Sequence, residues 1–295
     1  MEIKRVVPSG YCKGVVNAIN IVKKTKQEYP NENIYILGMI VHNSYVSKQM
    51  EDLGVITLED PNLSKEELLD TIDKGVVIFT AHGISDKIKQ KALDKGLICV
   101  DASCVDVLKN KDLIKSYLDK GYDVVYFGKK KHPEAEAILS LSDNIHLVSN
   151  ISDIDNLNIS NDNLFITNQT TMSYLEVEDM LKLIKDKYPT CIIQKEICNA
   201  TSSRQLAITN IKDGDVLYVV GDVKSNNTNK LKEIGSKYFK KVFLISNYKE
   251  INKKDLVNEN KIYVTAGAST PPILIDEVID YLSKLSPSFA PPSVL

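Results

Sequence analysis

Short apolar runs alternate with longer amphipathic runs along the whole chain. Runs of four or five apolar residues, such as Ile34–Leu37, Val76–Thr80 and Val124–Phe127, are typical of strands buried in a parallel sheet. Runs with apolar residues every three or four positions, such as Val15–Glu28 and Tyr174–Lys187, predict helices. The alternation predicts an α/β protein with mainly parallel sheets.

The same pattern predicts further elements. Helices are expected at 45–53, after Ser64, and at 85–95, 105–120 and 273–285, and strands at 55–58, 145–148 and 242–245. Ser64 followed by acidic residues is typical of a capped helix start. The stretch 149–163 is rich in Asn, Asp and Ser and predicts a surface loop.

Three cysteines mark a long internal repeat. Each lies where a strand-like run ends and a helix-like run begins, and they are spaced 92 and 94 residues apart: Cys12, Cys104 and Cys198. Two sets of polar residues recur after later strands in each third, the first being His42, His132 and Ser225, and the second His82, Thr170 and Ser269. The repeat predicts three similar α/β domains arranged as a pseudo-threefold trefoil, with the polar residues at strand ends.

The repeat also predicts where the domains begin and end. The first domain is expected at 14–103, the second at 104–194, and the third at 195–285 together with 1–13. The last ten residues, 286–295, have little to pack against and are predicted to be a disordered tail.

Composition narrows the functional classes. The chain has 43% hydrophobic and 26% charged residues and a net charge of −2, so it has no general attraction to nucleic acid or anionic membranes. No apolar run reaches the roughly 20 residues that span a bilayer, and the N-terminus lacks the apolar stretch of a signal peptide. We therefore predict a cytoplasmic protein, in which cysteines bind metal or take part in catalysis rather than form disulfides.

The three repeated cysteines predict a metal centre. A helix N-terminus favours the thiolate form. A structural zinc site generally needs four protein ligands, so three thiolates better suit a cubane iron–sulfur cluster with one iron open to substrate. Buried structural thiols are the alternative. Cys99 and Cys191 lie inside strand runs and are predicted to be packing residues.

Three of the four histidines follow strands, which suggests an anion site. His42, His82 and His132, with Ser225, Asn227 and Ser269, would form a ring of hydrogen-bond donors suited to a diphosphate. The two serines and Asn227 could instead cap helices or turns. His146 interrupts a strand run and is predicted to be structural.

Glu134 is a candidate proton source because it follows His132 closely. It could also be an ordinary residue of a helix start. Thr170 could position a substrate hydroxyl or cap the next helix. The lysines 129–131 are typical of a solvated face, or could steer an anionic substrate or an acidic electron carrier.

Together these motifs resemble the 4-hydroxy-3-methylbut-2-enyl diphosphate reductases, which catalyse the last step of the methylerythritol phosphate route to isoprenoids. The resemblance covers residues from about 10 to 271, in the family's order. The motifs are Gly10-Tyr11-Cys12, Val41-His42-Asn43, Ala81-His82-Gly83, Asp101-Ala102-Ser103-Cys104, His132-Pro133-Glu134, Gln169-Thr170-Thr171, Ile197-Cys198, Ser225-Asn226-Asn227 and Ala268-Ser269.

The resemblance implies a specific site and reaction. One 4Fe–4S cluster per chain would be held by Cys12, Cys104 and Cys198. The diphosphate would bind to His42, His82, His132, Ser225, Asn227 and Ser269, and Asn226 stands where the family commonly has a serine and is a further candidate contact. Glu134, with His132 and Thr170, would serve the allylic hydroxyl. The products would be isopentenyl and dimethylallyl diphosphate, and a ferredoxin or flavodoxin would be the reducing partner.

Two other functions are compatible with three thiolates. A dehydratase similar to quinolinate synthase also uses a three-cysteine cluster, although the histidine and Ser/Asn pattern fits it poorly. An electron carrier would normally fill all four iron positions with protein ligands. Only the reductase would consume electrons together with a diphosphate substrate.

Overall fold

Three parallel sheets of four strands each organise residues 1–285, the part of the chain that this computed structural model describes. The predicted tail, 286–295, lies outside the described residues. The α/β class and the parallel sheets that the sequence predicts are confirmed.

Each sheet takes its strands from one third of the repeat. Sheet I contains β2 (Ile34–Leu37), β3 (Ile56–Leu58), β4 (Val76–Phe79) and β5 (Ile98–Asp101), in the order β3-β2-β4-β5. Sheet II contains β6 (Asp123–Phe127), β7 (Ile145–Val148), β8 (Leu164–Asn168) and β9 (Ile192–Ile193), in the order β7-β6-β8-β9. Sheet III contains β1 (Glu2–Arg5), β10 (Val216–Val220), β11 (Lys241–Ile245) and β12 (Lys261–Ala266), in the order β1-β12-β10-β11.

Helices connect the parallel strands. In the first half of the chain they are α1 (Lys13–Glu28), α2 (Ser44–Asp52), α3 (Lys65–Asp70), α4 (Asp86–Asp94), α5 (Val105–Leu118) and α6 (Pro133–Leu139). The remainder are α7 (Ile151–Asn156), α8 (Tyr174–Lys187), α9 (Asn199–Thr209), α10 (Asn226–Gly235) and α11 (Pro272–Leu285), with short 3₁₀ turns at Tyr248–Glu250 and Lys253–Leu256. No helix within residues 1–285 is long and apolar enough to cross a membrane.

Apolar side chains on both faces of a sheet bury it between helices, as sheet II illustrates. Val125 and Phe127 pack with the apolar side of α8, which includes Val177. Val124 and Tyr126 point to the opposite face and pack near α5 and α6. This burial on both faces explains why the strands are continuous apolar runs rather than alternating ones.

The chain packs as two compact units. The larger unit, Lys13–Cys198, contains sheets I and II, and the smaller unit, Met1–Cys12 with the chain from Asn199 onward, contains sheet III. In the smaller unit, β1 runs parallel to β12 with Glu2 opposite Lys261. The boundaries of the three predicted domains remain a prediction.

The predicted surface loop at 149–163 is wrong in part, because Ile151–Asn156 forms α7. Asn150 caps this helix by accepting a hydrogen bond from the Asp153 N–H, and the Asp153 side chain accepts one from the Asn150 N–H. Ile154, within this helix, is buried. The polar residues that suggested a loop therefore form a capping box.

Candidate active site

The three repeated cysteines occupy equivalent places. Cys12 immediately precedes α1, Cys104 is the N-cap of α5, and Cys198 immediately precedes α9. Each backbone N–H donates to a carbonyl in the loop after a neighbouring strand: Cys12 to Ala268 (3.1 Å), Cys104 to Ala81 (2.9 Å) and Cys198 to Thr170 (3.1 Å). The predicted setting between a strand and a helix is therefore observed at all three.

The other two cysteines lie in a different environment. Cys99 lies in β5, and Cys191 lies just before β9 and packs against the core of sheet II. Burial raises the pKa of both thiols, so burial disfavours the thiolate that a metal requires. Both observations agree with their predicted packing role.

Three histidines form a cluster in the larger unit. The His42 and His82 rings stack with centroids 4.0 Å apart and an angle of 26° between their planes. The His132 ring meets both edge-on, at 5.6 Å from His42 and 5.7 Å from His82. The predicted convergence of these residues is thus observed. His146, in contrast, lies in β7 and contacts Asp123 at 2.7 Å, as expected for a structural residue.

The cluster contains neutral imidazoles. Burial lowers the pKa of His132 to about 3, with smaller contributions from His42, Lys129 and Lys65. Burial, followed by the neighbouring His42 and His132, lowers the pKa of His82 well below its usual value. The Nδ1 atom of His132 accepts a hydrogen bond from the Glu134 N–H at 3.2 Å, which assigns the ring proton to Nε2. His132 therefore presents a neutral N–H donor.

Glu134 is a buried carboxyl group held by three donors. Its side chain is only 2% exposed although it lies in the first turn of α6. Oε1 accepts from the Thr170 N–H at 2.9 Å and from the Tyr126 hydroxyl at 3.3 Å, and Oε2 accepts from the Thr170 hydroxyl at 2.9 Å. An ordinary residue of a helix start would be solvated, so its burial favours a chemical role. Thr170 contacts this carboxyl group and does not cap α8, whose N-cap is Ser173.

The environment of Glu134 shifts the pKa of its carboxyl group close to neutral pH. Burial raises its pKa to about 7, although the hydrogen bonds from Thr170 and Tyr126 act in the opposite direction. A carboxyl group with this pKa is partly protonated at pH 7 and can give up the proton readily, as a general acid must.

Gln169 connects the two loops that carry these groups. Its Oε1 accepts from the Lys129 N–H at 2.9 Å, and its Nε2 donates to the Thr171 hydroxyl at 2.7 Å. Its own N–H donates to the Phe127 carbonyl. The loop after β8 is therefore fixed relative to the loop after β6, and Thr170 relative to Glu134.

In the smaller unit, a set of buried hydroxyl and amide groups follows β10 and β12. Ser225 is the N-cap of α10, and its hydroxyl accepts from the Thr228 N–H at 3.2 Å. Asn227 donates to the Thr201 hydroxyl at 3.1 Å and accepts from the Ala268 N–H at 3.1 Å. Asn226 and Ser269 are 5% and 6% exposed. Asn227 thus links the start of α10 to the residue before Ser269.

Arg204 supports the loop before Cys12. It projects from α9, and its guanidinium donates to the carbonyls of Gly10 at 2.6 Å and Tyr11 at 3.5 Å, and to that of Ala200 at 2.6 Å. Gly10 has a φ of 76°, in the region that glycine tolerates best. The side chain therefore fixes the backbone that leads into Cys12.

Comparison with known families identifies the chain. Residues 3–283 match the family described as LytB protein. The chain belongs to the LytB family. A member from Geobacillus sp. strain WCH70, named 4-hydroxy-3-methylbut-2-enyl diphosphate reductase, is 44% identical over 293 residues, which cover 98% of this chain and 92% of that protein. One of the same name from Macrococcus caseolyticus is 43% identical, covering 97% and 90%.

Solved structures lead to the same family. The E-1-hydroxy-2-methyl-but-2-enyl-4-diphosphate reductase of Plasmodium falciparum is similar with a TM-score of 0.88 and 32% identity, over 97% of this chain and 89% of that one. A second structure, of an (E)-4-hydroxy-3-methyl-but-2-enyl diphosphate reductase named as the terminal enzyme of the non-mevalonate pathway, has a TM-score of 0.64 and 25% identity, over 96% and 100%. The resemblance found in the sequence motifs is therefore confirmed.

The three repeated cysteines of this LytB protein supply the type of ligand that an iron–sulfur cluster uses. Within residues 1–285, no group of three His, Cys, Asp or Glu side chains is arranged to hold one metal ion. A cubane makes a different demand, because each thiolate binds its own iron and the sulfurs need not converge on a point. The three thiols are free and half-buried, and each lies between a strand and a helix, so each could supply one thiolate ligand.

Sequence reasoning missed several supporting residues of this family member. Tyr126 and Arg204 belong to no motif, and Gln169 belongs to one but received no role. Gln169 and Arg204 act through partners far along the chain, and Tyr126 through Glu134. A polar residue inside an apolar strand or helix face is a usable signal, and Tyr126 at the end of the run Val124–Phe127 shows it. Such a residue needs a buried partner.

Proposed function

We propose that this LytB family member reductively removes the hydroxyl group of 4-hydroxy-3-methylbut-2-enyl diphosphate, giving isopentenyl and dimethylallyl diphosphate. The buried Glu134 beside the three histidines is the observation that carries the proposal. The names of the relatives at 43–44% identity support it. The substrate's C–O bond breaks, an electron pair enters, and protons go to the departing oxygen and to the allylic carbon.

The redox chemistry would come from a 4Fe–4S cluster. Cys12, Cys104 and Cys198 would each supply one thiolate, and the bound cluster would supply electrons and a Lewis-acidic iron. The equivalent backbone hydrogen bonds of the three cysteines support this assignment.

The diphosphate group would be held by histidine, serine and asparagine side chains. The residues that would bind it are His42, His82, His132, Ser225, Asn226, Asn227 and Ser269. The Nε2–H of His132 is one such donor. Binding the substrate through its inert end fixes the reacting end, and this positioning is a large part of catalysis.

Glu134 would supply the protons. With a pKa raised to about 7 by burial, it is protonated often enough to act as an acid. Thr170, whose hydroxyl donates to Glu134 Oε2, would pass or orient the proton toward the allylic hydroxyl. The hydrogen bond to the Thr170 N–H keeps the carboxyl group in place.

The reducing partner would be a small electron-transfer protein such as ferredoxin or flavodoxin. Lys129, Lys130 and Lys131 are exposed and would attract an acidic partner. We propose a cytoplasmic location, where thiols stay reduced.

A quinolinate-synthase-like dehydratase is not favoured, because the matching relatives and solved structures carry the reductase name.

Anaerobic turnover with a chemical reductant tests the proposal. The protein should contain iron and sulfide and consume electrons in proportion to the diphosphate that it converts. Cys104→Ser should lose cluster and activity together, whereas the matched control Cys99→Ser should keep both. A colourless protein without iron, or conversion without electron uptake, would refute the reductase assignment.

A further inference from the structure

A lysine outside the predicted site lies beside the histidine cluster. Lys65 is the first residue of α3, and with His42 it lines a cavity of about 440 Å³ in the larger unit. Burial is the main cause of the low pKa of His82 and His132, and the positive charge of Lys65 contributes to both. Its ammonium is therefore close enough to act electrostatically on the cluster.

Within residues 1–285, the charge of this ammonium is not balanced by an ion pair. The charge of Glu136 raises the pKa of Lys65, but no carboxylate within residues 1–285 forms an ion pair with its ammonium. Burial lowers the pKa of Lys65 to about 8, so the side chain is still mostly protonated at pH 7. A partly buried cation with no carboxylate partner is costly unless an anion occupies the space beside it.

His82 and His132 supply little of the charge that a diphosphate needs. His82 and His132 are neutral at pH 7, so they donate hydrogen bonds without offsetting the negative charge of the ligand. Lys129 also acts on His132, but it is exposed and solvent screens its charge. Lys65 is partly buried, and its interaction with an anion would be screened less.

We propose that Lys65 is a further diphosphate-binding residue, which places a positive charge beside the histidine cluster. This inference rests on the proposed function and adds a ligand contact to the same site. No sequence motif marks it, since Lys65 belongs to a segment predicted only as a capped helix start. The capping box of Ser64 and Glu67 fixes the backbone at this lysine.

Other charged groups line the same cavity and must be separated from Lys65 in any test. They are Glu59, Asp60, Glu66, Lys131 and Glu136. Glu66 is already paired with Lys87 at 3.0 Å and Lys91 at 3.5 Å. A comparison of variants at position 65 alone leaves all of these groups unchanged, so a difference between the variants reports on Lys65.

Binding of inorganic pyrophosphate to the cluster-containing enzyme, measured by calorimetry, tests the proposal. Lys65→Met should weaken binding about 10- to 100-fold at pH 7, the effect of losing one charge-assisted hydrogen bond. Lys65→Arg should keep most of the affinity. Lys74→Met, at an exposed lysine that does not line the cavity, should bind like the unaltered protein.

The pH dependence gives a second test. The ratio of the pyrophosphate affinity of the unaltered protein to that of Lys65→Met should be largest below pH 7. This ratio should fall as the pH rises through about 8, because Lys65 then loses its charge. Lys65→Arg should keep its advantage to pH 9, since arginine stays charged. Titration of pyrophosphate itself cancels in these ratios.

Several results would overturn the proposal. Equal affinity of Lys65→Met and the unaltered protein at pH 7 would do so, as would an unaltered protein that does not bind pyrophosphate. If Lys65→Met does not fold, the pH dependence of pyrophosphate affinity in Lys65→Arg decides the question. An affinity that falls near pH 8 in Lys65→Arg as it does in the unaltered protein would refute the proposal. Reductase turnover is measured separately, so an enzyme that binds pyrophosphate but does not reduce the substrate would refute only the proposed function.

Discussion

Replacing Tyr126 with phenylalanine tests whether Glu134 is the proton source. The Tyr126 hydroxyl donates to Glu134 Oε1 at 3.3 Å, and both side chains are buried. A hydrogen bond to a charged acceptor contributes about 1.5–3 kcal/mol, and this long bond belongs near the lower value. Since one pKa unit corresponds to about 1.4 kcal/mol, its loss is equivalent to about one unit.

The sign of the shift follows from which form is stabilised. The tyrosine hydroxyl stabilises the carboxylate, so its removal raises the pKa of Glu134 from about 7 toward about 8. A general acid must be protonated to act. The alkaline fall in kcat/KM, expected near pH 7 in the unaltered enzyme, should therefore move up by about one pH unit in Tyr126→Phe.

The assay is the pH profile of kcat/KM with a chemical reductant under anaerobic conditions. Tyr218→Phe is a matched control, because Tyr218 is also a buried strand tyrosine, in β10, and its hydroxyl has no hydrogen-bond partner within residues 1–285. An alkaline limb that stays in place in Tyr126→Phe, or that moves equally in Tyr218→Phe, would refute the reasoning.

Three further changes have distinct expected results. Glu134→Gln should lower turnover about 10²- to 10⁴-fold while substrate still binds, and near-normal turnover would contradict the role of Glu134. The variant should also gain thermal stability relative to the unaltered protein as the pH rises from 5 to 8, because a carboxyl group with a raised pKa opposes folding once it ionises. Arg204→Met should lower the free energy of unfolding in urea by about 1–3 kcal/mol, since it removes the donor to the buried Gly10 carbonyl. An unchanged unfolding midpoint would contradict this. His82→Ala should raise the substrate Kd roughly 10- to 100-fold with the cluster spectrum unchanged, and unaltered affinity would argue against the anion assignment.

The sheets and most helices could be predicted because their signals are local. An apolar run such as Val76–Phe79 indicates a buried strand by itself, and the structure has a strand there. Tyr174–Lys187 is helical over the whole range that its apolar spacing predicts. The exceptions depend on side-chain bonds that composition hides. Asn150 and Asp153 form a capping box, and Asn226-Asn227 begins a helix because Ser225 caps it and Leu231 and Ile234 are buried.

The residue types of the site could be predicted, whereas their energetics could not. The motif around Glu134 identifies a carboxyl group near a histidine, but its pKa depends on Thr170, 36 positions along the chain, and on burial. The position of Lys65 beside the histidines likewise depends on how the segment between β3 and β4 folds back over sheet I. Local sequence carries no signal for such distant contacts.

The pairing of β1 with β12 has a consequence for the order of events on the ribosome. β1 lies at the edge of sheet III beside β12, and the Cys12 N–H donates to the carbonyl of Ala268. At ~5–20 residues per second, translation from Cys12 to Ala268 takes roughly 10–50 s. During that interval the nascent chain cannot hold Cys12 in its final place, so the iron loading that we propose for this thiol would have to follow synthesis of nearly the whole polypeptide. Under that proposal, cells that make this protein would have to keep Cys12 reduced throughout its synthesis.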